Sequence, residues 1–202
     1  MQAAKIPLVA TQRVSTLIRW HMVAFKKDEN LAEHQYLVTM NAIRLHSKVK
    51  ELYNSNVIAG NKFMDDKLPL SQVVDYAMMH DIPETELSDT SSVSKSHIKK
   101  VAGNSDIFDD LDQDYMNQFG VDLSIYTPEV KLLVDVCDKF QALIAYLLYG
   151  DSRLYKTGRN VNIDFRLEKA FTDKFKQMSD VFALDHDSLI SEFQELILHC
   201  KP

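Results

Sequence analysis

Pro128-Glu-Val-Lys-Leu-Leu-Val-Asp-Val-Cys-Asp-Lys-Phe-Gln-Ala-Leu-Ile-Ala-Tyr-Leu-Leu148 is the most hydrophobic stretch of the chain. A proline opens it and Gly150 follows it, as at the two ends of a helix. Its apolar residues cover most of the helical circumference, which is the pattern of a helix surrounded by others. Asp138 sits in the middle of it, with Val134, Cys137, Ala142 and Ala145 as helical neighbours. A carboxylate on a buried face is costly unless it is paired, neutralised or bound to a cation. An ion pair with Lys139 or with an arginine from elsewhere would meet that need, and so would a metal ion.

Outward from this helix the periodicity stays helical. Five glycines and five prolines in 202 residues are few for a strand-rich fold. A first helix is expected over about Val9 to Phe25, and a second from near Asn30 to about Leu52. Asn30 and Glu33 have capping-box spacing. The stripe of the second helix reads Leu31, Val38, Ala42, Leu45 and Val49, and His34 lies on it. The polar stretch from Asn54 to Leu70 reads as a loop. Ser71 can cap a third helix with Val73, Val74, Ala77 and Met78 on its apolar side, and Pro83 should end or kink it. Ser88 to Asn104, rich in Ser and Thr, reads as the most loop-like segment. An acidic amphipathic helix follows with Ile107, Phe108, Leu111, Tyr115 and Phe119, stopping at Gly120. Two last helices are expected over about Asp164 to Phe182 and Asp185 to His199. The expectation is one all-α domain, a compact helical bundle with its core over about residues 9–150.

Composition narrows the classes of function. Lys and Arg number 23 against 29 Asp and Glu, a net charge of −6, which disfavours coating of a nucleic-acid polymer. Two isolated cysteines, Cys137 and Cys200, provide neither a disulfide framework nor zinc-finger spacing and suit a reducing compartment. There is no run of about eighteen apolar residues and no signal-peptide pattern. These features lead to the expectation of a soluble cytoplasmic protein with no membrane partner.

Two further chemistry-bearing places join Asp138. His34 interrupts an apolar stripe, where a lone histidine is usually a satisfied core residue. His80-Asp81 ends an apolar helix just before Pro83, and Glu84 follows at helical spacing from both. Together they bring two imidazoles and two carboxylates from three helices, a complete set of ligands for a divalent ion with room for water and substrate oxygens. A bound cation would also remove the cost of burying Asp138.

The pieces Arg19-Trp20, Glu29-Asn30-Leu31-Ala32-Glu33-His34, His80-Asp81-Ile82-Pro83-Glu84 and Cys137-Asp138-Lys139-Phe140-Gln141-Ala142, in this order, resemble the HD-domain metal-dependent phosphohydrolases. Within that family the chain resembles the single-domain bacterial 5′-deoxynucleotidases, and phage enzymes acting on dATP also fit. The resemblance spans about Leu17 to Leu148. It implies that His34, His80, Asp81 and Asp138 bind a divalent metal ion, with Co, Mn, Zn, Mg and Fe all compatible with such ligands. It implies a catalytic role for Glu84, as the acid, base or water-orienting carboxylate, and for Asp89, as a second carboxylate near the scissile phosphate. Arg19 is similar to a phosphate clamp, Trp20 to a wall of the nucleoside pocket, and Lys95 to a phosphate-contacting lysine. Met22 resembles a gate on the purine edge that would favour adenine. A homo-oligomer is implied as well.

Departures from the family's other branches exclude options. Thr85 stands where the alarmone hydrolases resemble one another in carrying a second acid. The extra histidines and Gly-Tyr-Pro segment of the cyclic-dinucleotide branch are missing. The expected activity is metal-dependent hydrolysis of phosphate from deoxynucleoside 5′-phosphates, deoxyadenosine nucleotides first. Lys26 and Lys27, with Lys95, Lys99 and Lys100 near His97, form more cationic sites than one phosphate requires, unless they are solvated surface lysines. The alternatives are a 5′-deoxynucleotidase for monophosphates and a non-catalytic nucleotide-binding module.

Overall fold

The structure, a computed structural model, describes residues 12–19, 27, 29–56, 66–87, 92–150 and 163–200. Its elements are α1 (Leu31–Asn56), α2 (Leu70–Met79), the single turn α3 (Glu84–Leu87), α4 (Ser92–Ala102), α5 (Ile107–Asn117), a 3-10 turn (Leu123–Ile125), α6 (Pro128–Tyr149), α7 (Ile163–Phe182) and α8 (His186–Cys200). No strand forms among the described residues, so the architecture is all-α.

The hydrophobic helix α6 is the axis on which α1, α2, α7 and α8 pack. Its start is fixed chemically. Thr127 accepts a hydrogen bond from the Val130 amide at 3.2 Å and donates to the Lys67 carbonyl at 2.6 Å, and Pro128 occupies the first turn, where no amide is needed. At its far end a Cβ on Gly150 would lie 2.6 Å from the Tyr146 carbonyl oxygen, so glycine is required by space. Helix α7 covers one side of α6. Phe140 meets Phe171 at 5.4 Å between ring centroids and Phe193 of α8 at 4.7 Å, edge to face, which builds an aromatic core between the three helices.

Helix α1 follows its stripe closely. Leu31, His34, Val38, Ala42, Leu45 and Val49 are all fully buried. Asn30 Oδ1 accepts the Glu33 amide at 2.9 Å, half of the expected capping box, while the Glu33 carboxylate turns to Lys27 instead, at 2.6 Å. His46 Nε2 lies 2.9 Å from the Leu68 carbonyl oxygen, tying α1 to the approach to α2.

Several expectations need correction. The continuous first helix fails where it is described. A short helical turn gives way to an antiparallel bridge between Ile18 and Asn30, with the Arg19 amide donating to Glu29 O at 2.9 Å and the Leu31 amide to Leu17 O at 3.0 Å. Pairing with the segment before α1 satisfies amides that a helix would have satisfied internally. Helix α2 begins one residue before Ser71, after Pro69 in extended conformation, and Ser71 is not its cap. Val73 and Ala77 are its buried residues, whereas Met78 is exposed. The segment read as the most loop-like contains α4, over Ser92–Ala102. Ser94, Ser96 and Lys100 are exposed there, and Ile98 and Val101 are exposed as well, so its helicity left little apolar signature. Helix α5 stops as expected. Gly120, at φ +71°, lets the Val121 amide return to Met116 O at 3.1 Å, with both apolar side chains buried. No helix among the described residues is long and apolar enough to cross a membrane. Cys137 and Cys200 are both unpaired.

Candidate metal and phosphate site

Three elements bring the sequence's anomalous residues together. His34 comes from the first turn of α1, His80 and Asp81 from the turn that ends α2, and Asp138 from the middle of α6. One donor atom from each of the four lies within 4.8 Å of every other. Turn residues 80–83, with the Ile82 amide bonded to Met79 O and the Glu84 amide to Asp81 O, separate α2 from α3, and Glu84 opens α3 three residues after Asp81.

Each ring and carboxylate has a defined aspect. His80 Nδ1 lies 2.9 Å from the Ala77 carbonyl oxygen, so in the neutral ring that nitrogen carries the proton and donates. Nε2 is then the bare nitrogen. It is buried and makes no hydrogen bond among the described residues, although Asp81 Oδ1 is 3.3 Å away. His34 Nε2 lies 3.0 Å from Asp138 Oδ1 and 3.5 Å from Asp81 Oδ2. The second oxygen of Asp138 accepts from Lys139 Nζ at 2.7 Å, which leaves Oδ1 toward the cluster. Lys139 also meets Asp135 at 3.2 Å, and the other oxygen of Asp135 meets Lys174 of α7 at 2.8 Å.

The Ile18–Asn30 bridge carries Arg19 to this cluster. Its Nη1 donates to Asp81 Oδ2 at 2.8 Å and lies 3.6 Å from Glu84 Oε2, and its Nη2 is 3.9 Å from Asp138 Oδ1. Lys95 of α4 meets the other Glu84 oxygen, 3.4 Å from Oε1, with its ammonium 5.6 Å from the centre of the Phe108 ring. Trp20, Met22 and Asp89 lie outside the described residues, as does Lys26. Lys27 is engaged by Glu33 and by the face of Tyr149 at 5.3 Å.

Electrostatics follow from this crowding. Burial pushes the Asp138 carboxyl upward, but Lys139, the bond to His34 and Arg19 outweigh it and hold the group well below the ordinary carboxylate range. Burial likewise opposes ionisation of Asp81, and His80, Arg19 and His34 overcome it. Both groups are therefore anions, as metal ligation requires.

A cleft of about 750 Å³ opens from His80 and Asp138 and is lined by Tyr76, Asp112, Lys131 and Lys139 among others. That volume suits a nucleotide-sized molecule. Burial, followed by the charges of Asp135 and Asp81, raises the Tyr76 phenol above its ordinary value, so it stays a neutral donor on the cleft wall. Burial also lifts Asp112 to about 6.

The donor set fits a divalent cation. Two imidazole nitrogens and two carboxylates converge from three elements, and one of the nitrogens is a buried, bare lone pair. Sequence reasoning missed the double engagement of Lys139 and the reach of Lys174 from α7 to Asp135 of α6. The i,i+4 spacing of Asp135 and Lys139 was the visible signal for the first, and the second depends on tertiary packing alone.

No family model and no curated protein matches the sequence. The fold is similar to that of the cyanophage S-2L HD phosphohydrolase DatZ, whose solved structure holds dA and one catalytic Zn2+ ion. The TM-score is 0.69 at 16% identity, covering 96% of this chain and 98% of that one. It is also similar to the PH0347 protein from Pyrococcus horikoshii OT3, with a TM-score of 0.55 at 15% identity over 96% of this chain and 98% of that one. Likeness at such identities concerns the fold, and it extends through the C-terminal helices that the sequence resemblance did not reach. The chain has the all-α fold of the HD-domain phosphohydrolases.

Proposed function

We propose that this protein is a metal-dependent phosphohydrolase of deoxynucleoside 5′-phosphates, with deoxyadenosine nucleotides as its preferred substrates. The observation that supports this reading most is the convergence of His34, His80, Asp81 and Asp138 within 4.8 Å, beside Glu84 and Arg19. In this reading those four residues hold the cation. When bound, such an ion lowers the pKa of water toward neutrality and offsets the charge of a phosphate oxygen. Arg19 offers a planar fork to the phosphate, a role a lysine cannot reproduce. Glu84, close to Arg19 and Lys95, orients the attacking water or returns a proton to the leaving oxygen. Trp20 walls the nucleoside, Met22 gates the purine edge, Lys95 contacts phosphate, and Asp89 is the second carboxylate. The adenine preference rests on Met22 and on dA in the DatZ structure.

One observation favours the monophosphate reading. Lys27, a candidate for holding a longer phosphate chain, is already held by Glu33 at 2.6 Å. A 5′-deoxynucleotidase therefore stands as the second reading.

The roles of Glu84 and Arg19 separate kinetically. Glu84→Ala should retain the metal and lose about 10²- to 10⁴-fold in kcat, the usual contribution of a positioned acid or base. Arg19→Ala should raise KM with metal content unchanged. Metal analysis and steady-state kinetics check both, and wild-type kcat in the Glu84 variant would remove that residue from the mechanism.

A further inference from the structure

Glu29 is a buried acid that the proposed chemistry does not use. It is 4% exposed, and acidic side chains are seldom so buried unless they are paired. It immediately precedes Asn30, and its backbone oxygen accepts the Arg19 amide at 2.9 Å. Its side chain points the other way, into the protein. Gln141 Nε2, one turn beyond Asp138 on α6, donates to Glu29 Oε1 at 3.3 Å, and Gln141 Oε1 in turn accepts from Asn41 Nδ2 at 3.4 Å. The same Glu29 oxygen lies 3.9 Å from His34 Nδ1. That nitrogen is buried and makes no hydrogen bond among the described residues.

The two histidines of the cluster thus differ. His80 has its remote nitrogen fixed by a backbone carbonyl at 2.9 Å. His34 has its cluster-facing Nε2 at 3.0 Å from Asp138 Oδ1, the distance of a bond that needs the proton on Nε2. A nitrogen that binds a cation must be bare, so the proton must sit on Nδ1, and a buried N–H requires an acceptor. Glu29 Oε1 faces that position. At 3.9 Å the pair is not hydrogen-bonded, and a ring movement of roughly 1 Å brings it within range.

We propose that Glu29 is a positioning residue for His34: its carboxylate accepts the Nδ1–H, fixes the tautomer and keeps Nε2 bare toward the cluster. Gln141 holds the carboxylate in place and links α6 to the segment before α1. The inference rests on the reading of His34 as a metal ligand. Carboxylates behind metal-binding imidazoles raise ligand basicity and set ring orientation, and their loss typically lowers metal affinity about 10- to 100-fold.

The test uses the full chain. Zinc affinity is measured by chelator competition for wild type, Glu29→Gln and Glu29→Leu, with thermal melting of each metal-free protein. The expected result is affinity weakened about 10- to 100-fold in Glu29→Leu, with a smaller loss in Glu29→Gln, which keeps an oxygen acceptor. A second measurement does not depend on the variants folding. In ¹⁵N spectra of zinc-loaded wild type, His34 should show a protonated Nδ1 and a metal-bound Nε2. A bare or metal-bound Nδ1 overturns the proposal. Wild-type affinity in both variants overturns it while leaving the metal site standing, whereas a wild type that binds none of Mn, Co, Mg or Zn removes the metal reading as well.

Discussion

Asp138 sets a carboxylate in the middle of α6, between the buried Cys137 and Phe140. Its place on an apolar helix marked it as needing a partner, and the residues that share its charge are Lys139 at 2.7 Å, His34 at 3.0 Å and Arg19 at 3.9 Å. Lys139 was legible as a neighbour. Arg19 was legible by resemblance only, because its approach depends on a bridge formed 11 residues away, at Asn30. Glu29 could be quoted within a motif but not recognised as buried, since nothing local in the sequence distinguishes a buried acid from a solvated one. Asp112 is another residue whose environment was hidden. Burial raises its folded pKa to about 6, against about 3.9 in an unfolded chain. Between those values the unfolded chain ionises first, so the contribution of Asp112 to stability falls as pH rises and is fully unfavourable above about 6. Asp112→Asn, which cannot ionise, should therefore raise the melting temperature more at pH 7.5 than at pH 4.5. Equal shifts at the two pH values would contradict this assignment.

Among the elements, α6 was the most legible because propensity, capping and burial agree there. Thr127, Pro128 and Gly150 bound it, and Val130, Leu133, Val134, Val136, Cys137 and Phe140 are buried along it. Removing the cap by Thr127→Ala should cost about 1 kcal/mol. In a chain of this size that lowers the melting temperature by roughly 2–4 °C, and kcat should stay at the wild-type value because Thr127 lies outside the cluster. An unchanged melting curve would show that the bonds to Val130 and Lys67 are replaced by water at no cost. Helix α4 was illegible for the converse reason. Val101 is 73% exposed and Ile98 40%, so its apolar residues record no buried stripe. Its reading as a loop followed composition alone. The N-terminal segment was misread because helical periodicity says nothing about which amides a distant segment can satisfy.

At the scale of the whole molecule, the fold puts chemistry where helices from distant parts of the sequence cross. Helices α1, α2 and α6 pack on one another, and each supplies part of the four-residue cluster at or near that contact. The aromatic packing of α6 with α7 and α8 uses Phe140, Phe171 and Phe193, none of them in the cluster, and anchors the axis. That division explains why the candidate site could be assembled from sequence by order and residue type, while the cleft wall could not. Tyr76, Asp112 and Lys131 become neighbours only once the helices are packed. The central claim is that this cluster holds a cation that the chain uses to cleave phosphate from a deoxynucleotide. The most direct measurement incubates wild type and Asp138→Ala, each supplied with Mn, Co, Mg or Zn, separately with dATP, dAMP, dGTP and dCMP, and resolves the products by chromatography. The account predicts metal-dependent formation of deoxyadenosine by wild type, with dGTP spared and no turnover by Asp138→Ala. No turnover of any nucleotide by wild type with any of these metals, or equal turnover by Asp138→Ala, would contradict it.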